Sequence, residues 1–171
     1  MDGTTAGGIL PIVVGVDGSP ESVAALRWAK KLAVPLGATI KAVSVWHLDM
    51  FFGPFAISAR DGESIMREVL EDALAEAFGD DPPEGLIEEC RTGRPSEILL
   101  QEGESAQLLI VGSRGHGGFA GLLLGSVSSS CAAHASCPVL VVRAAAKTSE
   151  STGETMAGAA KRTDGESAAG S

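Results

Sequence analysis

Tyrosine is absent from these 171 residues, and phenylalanine and tryptophan number only five and two. Apolar types still make up 44% of the chain, so Val, Leu, Ile and Ala must fill the core. Small aliphatic cores of this kind suit parallel sheets covered by helices. Cysteine is scarce as well. Cys90, Cys131 and Cys137 form no C-x-x-C pair and are odd in number, which argues against a disulfide framework or a zinc site. Reduced thiols in the cytoplasm fit that usage. Basic residues are outnumbered 13 to 22, for a net charge of −9. Such a chain repels phosphate backbones and anionic membranes at long range, so neither nucleic acid nor membrane is expected as a partner. Apolar runs of about 18 residues, as a membrane span needs, do not occur. Met1–Leu10 carries neither the basic start nor the apolar centre of a secretory signal. A soluble, cytoplasmic protein is the expectation. A small anionic ligand stays open, because one site can differ in sign from the whole.

What is present is a regular alternation. Ile12–Asp17 (IVVGVD) reads as a strand buried on both faces. Gly18-Ser19-Pro20-Glu21 is a helix-start signal. Ser22–Leu36 sets Val23, Leu26, Trp28 and Leu32 among Ala and Lys as an amphipathic helix. Pro35 should kink it or end it early, with Gly37 as its C′ residue. Thr39–Trp46 is the second strand. The stretch from His47 to Gly62 holds Phe51, Phe52, Pro54 and Phe55 and is long for a connection, which suggests a lid, a binding loop or a cover for the sheet edge. Glu63–Gly79 is a second helix with one apolar face, Ile65 included. Gly85–Thr92 is the third strand. Gly93-Arg94-Pro95 opens a short helix through Gln101, Gln107–Gly112 is the fourth strand, Ser126–Ala135 a small-residue helix and Pro138–Arg143 the fifth strand. This β-α order predicts parallel strands with right-handed crossovers. One domain is expected over residues 11–144, with a flexible N-terminus at 1–10 and a disordered tail at 145–171, where large apolar residues nearly vanish.

In open α/β sheets, ligands sit beyond the carboxyl ends of the strands, where the strand order reverses. That directs attention to Asp17-Gly18-Ser19 and to Gly112–Ser126. The glycines of the second segment allow close backbone approach, and their N–H groups can form an anion nest. Gly125-Ser126 then opens a helix whose free N–H groups favour phosphate oxygens, with the Ser126 and Ser128 hydroxyls as further donors. Arg114 and His116 add positive or donor groups. No Asp or Glu occurs between Glu104 and Glu150, which suits a polyanion site in so acidic a chain. The plain alternative is a surface loop capped by Ser126. A Walker loop is missing. Gly115-x-Gly117-x-x-Ala120 imitates a dinucleotide fingerprint but follows the fourth strand and has no acid about 20 residues on, which argues against NAD. Asp17 can hold ribose hydroxyls or a Mg²⁺ that bridges to phosphates, or can simply cap the next helix or make an Asx turn. His47, His116 and His134 are scattered, and nucleophile chemistry has no motif here.

Gly112-x2-Gly115-x9-Gly125-Ser126 resembles the pattern of the ATP-binding branch of the universal stress protein family. The opening IVVGVDGSPES, the Gly93-x-Pro95 turn and the closing CPVLVV also resemble that family, and the likeness runs from about Ile12 to Arg143. It implies a Rossmann-like open five-stranded parallel sheet of order 3-2-1-4-5, helices on both faces, and a nucleotide lying across strands one and four. Carried over, Gly15 would lie beside the adenine. Asp17 would approach the ribose or a metal, and Val45 would meet the adenine edge through its backbone. Val111 and Gly112 would line base and sugar, while Gly115, Gly125, Ser126 and Val127 would hold ribose and phosphates. Arg114 supplies charge in the same loop. Family members resembling this chain commonly form homodimers through the last strand, here Val139–Val142, which would otherwise be an apolar free edge.

The expectation is therefore an ATP-binding universal stress protein acting as a nucleotide-dependent stress-response or signalling module, with Mg²⁺ as a possible companion. Slow ATP hydrolysis, cAMP binding in the same pocket, and a nucleotide-independent dimeric scaffold are the alternatives. Asp17, Arg114 and His116 are a thin set for fast phosphoryl transfer.

Overall fold

The computed structural model describes residues 9–47, 59–115 and 123–144, with the side chains of 59–61 left aside. The expected tail at 145–171, most of the N-terminus, the aromatic stretch 48–58 and the loop residues 116–122 lie outside the described residues.

Five strands form one sheet: β1 (Ile12–Val16), β2 (Ile40–Trp46), β3 (Ile87–Thr92), β4 (Leu108–Gly112) and β5 (Val139–Val142). All neighbouring pairs are parallel, and the order is β3-β2-β1-β4-β5. Four helices alternate with them: α1 (Pro20–Leu36), α2 (Ala59–Phe78), α3 (Pro95–Gly103) and α4 (Ser126–His134). The order is the one the sequence resemblance implies.

The strand period of two divides the core into two layers. Ile12, Val14, Val16, Ile40, Ala42 and Ile110 pack against Val23, Leu26, Ala29, Leu70 and Leu74 of α1 and α2. On the other face, Val13, Val43, Val45, Leu109 and Val111 meet Leu99 of α3 and Cys131 of α4. Each fully buried Leu or Ile contributes roughly 1.5–3 kcal/mol. Burial raises the Cys131 thiol to about 11, with the nearby Cys137 adding to it. That thiol is an inert filler of the α3/α4 layer.

Helix α3 runs past the expected Gln101 to Gly103, and α1 and α2 also depart from expectation. Pro35 does not end α1 early, because it falls in the last turn, where the chain is about to leave the helix. Gly37, at φ 62°, and Ala38 then close that end by donating to Val34 O at 3.1 Å and Ala33 O at 2.9 Å. Helix α2 starts at Ala59, inside the stretch read as a connection. Within the extension, a Cβ on Gly62 would stand 2.9 Å from the Trp46 ring, so glycine there lets the helix lie close on that indole. Trp28 and Ile65, expected on apolar faces, are 46% and 37% exposed.

Among the described residues, charge is buried at one place. Glu102, near the end of α3, accepts from Lys41 Nζ of β2 at 2.6 Å and from Arg91 of β3 at 2.7 Å. Glu89 of β3 pairs with the same two cations at 2.6 and 3.1 Å. Hydrogen bonding from Lys41 holds the Glu89 carboxyl below its ordinary range, against the opposing effect of burial. Burial works to lower Lys41, but its bonds to Glu102 and Glu89 outweigh that and hold the ammonium above its ordinary value. Two cations and two anions thus bolt α3 to the β2–β3 edge.

Candidate functional site

The chain runs outward from β1 to β3 and then returns to β4 on the other side of β1. The strand order therefore reverses between β1 and β4, and a crevice is expected at their carboxyl ends. Two glycines shape this point. A Cβ on Gly112 would come within 2.7 Å of Glu21 Cβ and 3.1 Å of the Glu21 carbonyl carbon, so the first turn of α1 sits directly on the end of β4. A Cβ on Gly15 would meet Leu99 Cδ1 at 2.8 Å, with Val111 Cγ1 at 3.4 Å. Gly15 therefore has a packing reason of its own, which is to admit Leu99 against the other face of β1.

Asp17 leaves β1 and makes an Asx turn, its Oδ1 accepting from Ser19 N at 3.0 Å and from the Ser19 hydroxyl. Ser19, not Asp17, is the N-cap of α1: its Oγ accepts from Ser22 N at 3.2 Å. The Asp17 carboxylate is thus aimed by a short relay. It lies against Gly115, where an added Cβ would collide with Oδ2 and stand 3.5 Å from Cγ. Gly115 is open to the Asp17 side chain, and any larger residue there displaces the carboxylate first.

The loop after β4 is closed at its neck. Ser113 N donates to Val142 O of β5 at 2.6 Å, and Gly125 N donates back to Ser113 O at 2.7 Å. The Ser128 hydroxyl, expected to face a ligand, is buried and donates to Ser113 O and Gly125 O, both at 3.0 Å. It holds the neck. Arg114 and Ser126 are exposed. Gly125 is the N-cap of α4 and gives no side-chain cap. The first-turn N–H groups of α4 therefore have no intrahelical acceptor, as anion binding requires.

A cleft of about 290 Å³ opens beside that helix start, lined by His47, Arg94, Pro95, Ser96, Ser126 and Val127. It brings together the segments following β2 and β3 with the N-termini of α3 and α4. Val45 and Val111, by contrast, are buried in the α3/α4 core layer, so any ligand would meet them through backbone only. The sequence reading missed Arg94 and Ser96, and for His47 it preferred surface exposure to a place at this edge. The signal was available: in a parallel sheet every strand exit reaches the same edge, and Gly93-x-Pro95 marks one of them. A larger surface cleft, about 430 Å³, lies between α1 and α2 among Arg27, Lys30 and Lys31. Arg27 and Lys30 there hold the Glu76 and Asp81 carbonyls at 2.8 and 2.5 Å, which gives that cleft a structural role.

Among the described residues, no three His, Cys, Asp or Glu side chains converge as a metal site. A Mg²⁺ beside Asp17 would thus take most of its ligands from phosphates and water. No helix among the described residues is long and apolar enough to cross a membrane.

The chain matches the universal stress protein family over residues 9–143. A universal stress protein of Mycolicibacterium smegmatis is 38% identical over 134 residues, covering 78% of this chain and 46% of that protein. The chain thus spans about half the length of the curated relatives it matches. Among solved structures, a universal stress protein in complex with cAMP superposes with a TM-score of 0.61 at 24% identity, over 81% of this chain and all of that one. The universal stress protein of Archaeoglobus fulgidus in complex with dAMP gives 0.53 at 23% identity, over 78% of this chain and 97% of the other.

Proposed function

This chain belongs to the universal stress protein family, and from that premise we propose that it binds ATP and acts as a nucleotide-dependent stress-response or signalling module. The observation that carries the reading is the juxtaposition at the strand-order reversal. There an aimed carboxylate (Asp17) meets a glycine (Gly115), beside a helix start with no side-chain cap (Gly125-Ser126). A carboxylate suits ribose hydroxyls or a magnesium ion, and uncapped N–H groups suit phosphate oxygens. The proposed contacts are Gly15, Asp17, Val45, Val111, Gly112, Arg114, Gly115, Gly125, Ser126 and Val127. Solved relatives carrying cAMP and dAMP support an adenine nucleotide as the ligand class. The cAMP complex makes a cyclic nucleotide the second candidate.

The same reading includes a homodimer. β5 is a sheet edge whose Val139, Leu140 and Val141 are only half-buried in one chain, and pairing with a second copy would cover them. It also locates the protein in the cytoplasm, which suits three free cysteines.

The test is chemical. Protein purified without added nucleotide is denatured and its released small molecules are separated, and calorimetry is run with ATP and cAMP. ATP release or tight ATP binding is expected. Neither release nor heat with either nucleotide overturns the reading. Gly125→Val is the better loop variant, because a Cβ there meets only ordinary contacts, 3.6 Å from Arg114 Cα and Ser113 O. It should keep the fold and lose the nucleotide. Gly115→Val is unsuitable, since it strikes Asp17 first.

A further inference from the structure

The cleft between α3 and α4 carries one cationic side chain that the glycine pattern does not predict. Arg94 occupies the N-cap position of α3 and makes no side-chain cap to its own helix. It lines the cleft together with Ser126 and Val127, the first residues of α4. Its partner among the described residues is Glu97, one turn on, with Nη1 to Oε1 at 3.5 Å and both side chains about 70% exposed. A pair so exposed is weak and easily exchanged for a stronger partner. The other charged groups at this edge are placed differently: Asp17 lies against Gly115, and Arg114 stands at the loop neck. A phosphate seated on the first turn of α4 would therefore have Arg94 as the cation on the opposite wall. A guanidinium suits that position, because its planar fork matches two phosphate oxygens at once.

We propose that Arg94 is a specificity-determining residue that reads ligand charge, binding the phosphate of an adenine nucleotide held at α4 and so selecting nucleotides over the free nucleoside. This rests on the nucleotide reading above. Glu97 tempers the site: it keeps Arg94 paired when no anion is present, so only a ligand that brings negative charge draws the guanidinium away.

Calorimetry with ATP, AMP and adenosine separates the possibilities, using the full chain and three variants. Arg94→Gln should weaken ATP and AMP about tenfold or more, since a charge-assisted hydrogen bond is lost, and leave adenosine unchanged. Arg94→Lys should recover part of the loss, because charge returns without the fork. Lys31→Gln makes the same change in net charge on α1, on the opposite face of the sheet, and should leave all three ligands as they were. Arg94→Gln binding ATP like the unaltered protein overturns the proposal. So does an equal loss for adenosine, which would mean that Arg94 only shapes the cleft. If the unaltered protein binds none of the three, the nucleotide reading falls and this inference with it. If it binds ATP but ignores Arg94→Gln, only this inference falls.

Discussion

The two ends of α3 handle charge in opposite ways. At its C-terminal end, Glu102 is almost fully buried and is held by both Lys41 and Arg91. At its N-terminal end, Arg94 is largely exposed and has a weak partner in Glu97. One helix thus carries a closed charge cluster at Glu102 and an open one at Arg94, eight positions away. The closed end can fix the position of the helix because its charges satisfy one another. The open end can respond to a ligand because its charge is only loosely held. A cation serving both purposes would serve neither well, since full pairing removes the capacity to bind something new.

This contrast can be broken deliberately, starting at the closed end. Glu102→Ala leaves Lys41 and Arg91 to share Glu89 in a half-buried setting, and should cost about 3 kcal/mol in urea unfolding. A loss no greater than that of an exposed ion pair would mean the closed cluster fixes nothing. A smaller effect comes from pH. The depressed Glu89 carboxyl contributes stability that is present above the unfolded carboxylate value of 4.5 and is lost as pH falls through its lower folded value. Urea midpoints taken from pH 7 down to pH 3 should therefore fall more steeply for the unaltered protein than for Glu89→Gln. Parallel profiles would contradict the assignment. The smallest effect on stability belongs to the open end. Arg94→Gln should shift unfolding by less than about 0.5 kcal/mol, as exposed pairs do. A larger shift would show that Arg94 holds the fold and is not free for a ligand.

Much of the architecture is legible in the chain because it is locally encoded. Four short apolar runs and the alternating stretch Gly85–Thr92 give the strands, and their alternation with helices gives a parallel sheet. Ser19 and Pro20 mark the start of α1 and Gly37 marks its end. The glycine spacing from Gly112 to Ser126 also shows where β4 ends and α4 begins. What escapes is non-local. Helix α2 starts earlier than expected and lies on Trp46 at Gly62, a contact between elements that periodicity alone does not reveal. The cluster joining Lys41 to Glu102 spans 61 positions. The packing of Leu99 against Gly15 is not visible in the motif, and Ser128 reads as a donor to a ligand until its hydroxyl is seen holding Ser113 and Gly125. The cleft at Arg94 needs three chain segments to be brought to one edge, and only the fold does that.

The strand order has a consequence in time. Of these five strands β1 is made first, and it can pair with β2 soon after, at Ile12 with Ile40. Its other neighbour is β4, where Ile12 faces Leu108. At ordinary rates of synthesis that partner arrives on the order of 5 to 20 s later. Throughout that interval the Ile-Val-Val-Gly-Val strand at the centre of the finished sheet is an open, apolar edge in a growing chain. Of the five strands, the one made first is the one that waits for its second neighbour, so the centre of the sheet stays open on one side until β4 is made.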